Sequence, residues 1–81
     1  MPEALWEIVS KYRSKGIEIS DKEAEKICQF CYRKMEVAKI ENKEEYLPKL
    51  FEDEVRNHIF RETVNSISIF MDSLKEEVQY V

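Results

Sequence analysis

An all-α fold, a helical hairpin or three-helix bundle with a long C-terminal helix, is predicted by three features of the 81-residue sequence. Apolar residues recur at helical spacing through most of the chain, helix start and stop signals fall between the periodic stretches, and a single Gly and two Pro leave few places for turns. The chain reads as one domain, 1–81. A domain this small buries about two-thirds of its unfolded surface and supplies only about 3–5 kcal/mol without a staple or a partner. Completion by homodimerisation is therefore part of the expectation.

The first helix is announced by Pro2, with Glu3 and Glu7 at the positive end of the dipole and Leu5, Ile8, Val9 and Tyr12 as its apolar stripe. Trp6 lies off that stripe and reads as a core anchor that also meets a third surface. Gly16 stops the helix. With Gly16 at C′, Ile17 and Tyr12 become the apolar pair of a Schellman ending.

Ser20-Asp21-Lys22-Glu23 is a capping box, and Ile19 with Ala24 forms a hydrophobic staple, so a second helix begins here. Its stripe runs Ala24, Ile27, Cys28, Cys31, Met35, Ala38 to an end near Asn42. Phe30, Val37 and Ile40 form a second flank, which predicts contact from two sides.

Lys43 to Leu47 reads as a connector, with Leu47 driven toward extended geometry by Pro48 and Pro48 opening the third helix. Leu50, Phe51, Val55 and Ile59 give one stripe. Phe60, Val64, Ile67, Met71, Leu74, Val78 and Val81 then follow at alternating steps of four and three, a heptad seam suited to self-association. A single helix from 48 to 80 is about 50 Å long, whereas a compact chain of this size has a radius of gyration near ~12 Å. The helix must either break, at Asn57-His58 or Asn65-Ser66-Ile67-Ser68, or project and be covered by another subunit.

Composition excludes several functions. The formal net charge is −4, the wrong sign for mass neutralisation of nucleic-acid phosphates. Its excess is concentrated in Glu44, Glu45, Glu52, Asp53 and Glu54, a candidate protein-binding surface whose bland reading is a solvated helix start. No apolar run approaches membrane length and no secretory leader is evident. A cytoplasmic protein is expected, with two cysteines in a reducing compartment.

Chemistry-bearing residues are sparse. Cys28-x-x-Cys31 lies about two turns inside a helix with no preceding strand, so a thioredoxin-like role is not expected. Structural zinc needs four ligands, and one copy has only this pair and His58. A zinc shared by Cys28 and Cys31 of two copies is the metal alternative; otherwise no metal and no cofactor are expected. His58 is read as flank packing, and Ser66, Ser68 and Ser73 lack a nucleophile-elbow pattern. Helices 1 and 2 outline a helix-turn-helix, but the would-be reading helix opens with Asp21, Glu23 and Glu25. Arg33, Lys34 and Lys39 give a dimer its only concentrated basic face. The reading is thus a non-enzymatic, homodimeric protein-binding module, in its sharper form an acidic inhibitor or adaptor of a nucleic-acid-handling protein; a dimeric DNA-binding regulator is the alternative from another class.

Overall fold

The computed structural model describes residues 1–79, with side chains through Asp72 and that of Leu74. It contains three helices, α1 (Glu3–Ser14), α2 (Asp21–Val37) and α3 (Lys43–Gln79), and no strand among the described residues. The chain is 82% helical.

The α1–α2 turn follows from local chemistry. Gly16 takes φ 87°, the Ile17 amide donates to the Tyr12 carbonyl at 3.2 Å, and the Gly16 amide donates to Arg13 at 3.0 Å. These are the two bonds of a Schellman ending. Arg13 then reaches across the turn. Its Nε and Nη2 donate to the Ile19 carbonyl at 2.9 and 2.6 Å, and Nη2 meets Asp21 at 2.9 Å. Ser20 Oγ accepts the Glu23 amide at 3.1 Å, while Ile19 and Ala24 are both buried. Only half of the capping box forms, because the Glu23 carboxylate turns to His58 at 3.1 Å.

Helix α2 stops at Val37, earlier than the apolar pattern predicts. Lys39 adopts the left-handed conformation at φ 55°, the Ile40 amide donates to Met35 at 3.0 Å, and that of Lys39 donates to Glu36 at 3.1 Å. This second Schellman ending folds Ile40 back against the core without a glycine. Phe30 and Val37 do not acquire the second contact expected of them, and both are exposed.

The connector expectation for Lys43 to Leu47 fails as well. The Tyr46 amide donates to the Asn42 carbonyl at 3.1 Å, and α3 already runs from Lys43 with Pro48 inside it. Pro48 withholds only one amide, the donor that the Glu44 carbonyl would otherwise meet one turn on, close to the start of the helix. Helical geometry at Leu47 buries its side chain one turn before Phe51. Burial of a leucine stabilises by about 1.5–3 kcal/mol, enough to outweigh the bias that proline imposes on its predecessor.

Both shorter helices pack chiefly on the first half of α3. Leu5, Val9, Tyr12, Ala24, Cys28, Cys31, Met35, Leu47, Phe51 and Val55 form the core with Ile19, and Trp6, Ile8, Ile27, Leu50 and Ile59 pack at its edge. Helix α3 continues unbroken through both predicted break points, Asn57-His58 and Asn65-Ser66-Ile67-Ser68. A helix of 37 residues is about 56 Å long, which accounts for the 60 Å principal extent and the radius of gyration of 17.0 Å. The second half of α3 projects from the bundle.

Candidate interaction surface on the projecting helix

Successive residues of an α-helix are rotated by about 100°. Leu47, Phe51 and Val55 therefore centre about half a turn away from Phe60, Val64, Ile67, Met71 and Leu74. One continuous helix thus carries two apolar stripes on opposite faces, the first facing α1 and α2 and the second facing away from them. Phe60, Val64, Ile67, Met71 and Leu74 are all exposed, Phe60 at 69%. Phe70, which the alternating spacing passes over, lies at the edge of this face and is also exposed. The side chain of Val78, and Val81 altogether, fall outside the described residues. From Thr63 to Met71 no residue is charged. Ile69, 69% exposed, stands alone on the opposite face.

The acidic segment does not form one solvated patch. Glu44, Glu45 and Asp53 are exposed, but Glu54 is 7% exposed and its Oε1 accepts from Lys34 Nζ at 2.9 Å. The Lys34 ammonium is held above its ordinary pKa, chiefly by that hydrogen bond. Glu52 Oε1 accepts from Lys11 Nζ at 2.7 Å, Tyr12 Oη at 3.2 Å and Arg56 Nη2 at 3.2 Å. Its pKa is lowered, first by the Lys11 hydrogen bond. Arg56 Nε also donates to Tyr12 Oη at 3.0 Å. The solvated role expected for Glu52 and Glu54 is thus corrected: their carboxylates tie α3 to α1 and α2, positions that only the fold reveals.

Cys28 and Cys31 are both buried and unbridged. Burial pushes both thiols up, Cys31 to about 11, so they are poor nucleophiles near neutrality. Their placement is that of small apolar residues between helices. Of the basic residues on α2 and its end, Lys34 is engaged by Glu54, while Arg33 and Lys39 are exposed.

His58 is half-buried, and its surroundings were not legible from spacing alone. Nε2 lies 3.1 Å from Glu23 Oε2 and 3.3 Å from Glu62 Oε1. Glu62 is one turn ahead on α3, a pairing visible in the sequence. Glu23 comes from the first turn of α2, brought in by tertiary packing.

No described helix is long and apolar enough to cross a membrane. Comparison with known protein families, with curated proteins and with solved structures finds no match for the chain.

Proposed function

We propose that this chain is a non-catalytic protein–protein interaction module that works as a homodimer, joined along Phe60, Val64, Ile67, Met71 and Leu74 with Phe70 at the margin. The observation that carries this reading is the exposed apolar stripe on the face of α3 opposite the bundle. A helix half that projects with a stripe about 120° wide has the amphipathic form of a buried helix without a cover in its own chain. A second copy suits it for two reasons. The uncharged stretch from Thr63 to Met71 offers a charged partner no counter-charge, whereas an identical stripe is self-complementary across a two-fold axis. Because the hairpin lies on the other face, two copies meet without displacing α1 or α2.

The dimer is an adaptor in this reading, and Glu44, Glu45 and Asp53 are the exposed acids it offers a basic protein partner. Sedimentation equilibrium over a concentration series tests the assembly: a monomer–dimer transition is expected, and a monodisperse monomer at the highest concentrations overturns it. Tight duplex DNA binding by the dimer at about 0.15 M salt would instead favour the regulator class.

A further inference from the structure

We infer that Glu23, His58 and Glu62 form a binding site for a divalent transition cation, with Zn²⁺ as the ion of choice, that clasps the start of α2 to α3 at the root of the projecting segment. The three donor atoms, Glu23 Oε2, His58 Nε2 and Glu62 Oε1, all lie within 4.8 Å of one another. Around a tetrahedral zinc with ligands at about 2.0–2.1 Å, neighbouring donor atoms are about 3.3 Å apart. The observed separations from His58 Nε2 are 3.1 and 3.3 Å, so two edges of that tetrahedron already exist.

The ligand set selects the ion. One imidazole nitrogen with two carboxylate oxygens suits Zn²⁺ and its neighbours over Mg²⁺ or Ca²⁺, which take oxygen cages. Two carboxylates and a neutral imidazole also balance a 2+ charge. Without a cation, two carboxylates converge on one nitrogen that carries at most one proton to share between them.

The Glu23–His58 contact also displaces a local alternative. Glu23 occupies the position from which a capping-box carboxylate reaches back to the Ser20 amide, yet it turns to His58. Arg13 lines the groove beside Glu23 and Glu62, but its guanidinium is occupied by the Ile19 carbonyl and Asp21. Glu62 is exposed, which leaves the fourth position to water and the ion exchangeable. This is distinct from a four-ligand structural zinc, for which one copy lacks the residues.

The full-length chain, stripped with chelator, is titrated with ZnCl₂ by calorimetry and thermal denaturation, with MgCl₂ as control. One Zn²⁺ per chain is expected, with a rise in Tm of about 6–10 °C at ten times the Kd and no response to Mg²⁺. Glu62→Gln, at an exposed position that leaves the fold intact, should weaken binding at least about tenfold, the loss expected for a metal-site interaction; His58→Asn should abolish it. Co²⁺ should give the visible bands of a nitrogen–oxygen site without a thiolate charge-transfer band. Absence of any Zn²⁺ response reduces the cluster to an imidazolium bridged by two carboxylates and overturns the inference. Unchanged binding in Glu62→Gln and His58→Asn, or a thiolate band with Co²⁺, places the ion elsewhere and does the same.

Discussion

Replacing Ile67 with aspartate puts a carboxylate at the centre of the proposed seam. In the isolated chain Ile67 is 56% exposed, and Ile and Asp differ by only a few tenths of a kcal/mol in helix propensity, so the monomer is expected to tolerate the change. The dimer is not. Covering the exposed part of an isoleucine is worth roughly 0.8–1.7 kcal/mol at 1.5–3 kcal/mol for the whole side chain, and the two-fold axis doubles that loss. Each buried carboxylate adds a desolvation cost of at least about 1–3 kcal/mol. The sum is about 4 kcal/mol or more, roughly a thousandfold in Kd. Sedimentation equilibrium on wild type and Ile67→Asp reads this directly, and circular dichroism on the same samples checks that helicity survives dilution. Ile69→Asp is the control, since Ile69 lies on the opposite face and its substitution should leave Kd within a fewfold of wild type. Equal dissociation constants for wild type and Ile67→Asp, or equal damage from Ile69→Asp, would refute the assignment of the seam.

Three further outcomes are expected. Lys39→Gly should stabilise the chain by about 1 kcal/mol in urea denaturation, because glycine relieves the left-handed strain at φ 55° while retaining the amide that caps α2; a loss of stability would contradict this. Lys34→Met should lower stability in urea denaturation by leaving the buried Glu54 carboxylate without its ammonium, and Lys34→Met combined with Glu54→Met should recover most of that loss. The folded-state pKa of Glu52 is depressed below its ordinary 4.5, so its contribution is present in full above the ordinary carboxylate range and lost as pH falls through the folded value; Glu52→Gln should flatten the acid limb of the stability profile between those two values, and an unchanged limb would refute the role assigned to the Lys11 bond.

Local signals in the sequence locate α1, its Gly16 ending and the Ser20 start of α2 because each depends on residues within a few positions of one another. The two stripes of α3 are legible for the same reason, since helical arithmetic needs no partner. Pro48 misleads because its local preference is real but smaller than the burial of Leu47 and Phe51, which depends on α1 and α2 being in place. Lys39 gives no warning at all: a lysine in the left-handed region is held there by the Ile40–Met35 closure rather than by its own preference. The same limit governs the charged residues. Glu52 and Glu54 look like solvated acids, and Glu23 like a capping-box carboxylate, until tertiary packing brings Lys11, Lys34 and His58 against them, whereas Glu62 opposite His58 follows from a spacing of four.

The opposed phases of α3 have a bearing on valency. Two chains joined back to back along the stripe would carry their α1–α2 hairpins on the outer flanks, each held at a fixed offset from the seam by an α3 that runs unbroken from Lys43 to Gln79. Such an object presents every hairpin surface twice, in two-fold register. A target with matching symmetry would then be gripped at both ends, the second attachment following at high effective concentration, while a target offering one epitope would be held only as tightly as a single hairpin allows.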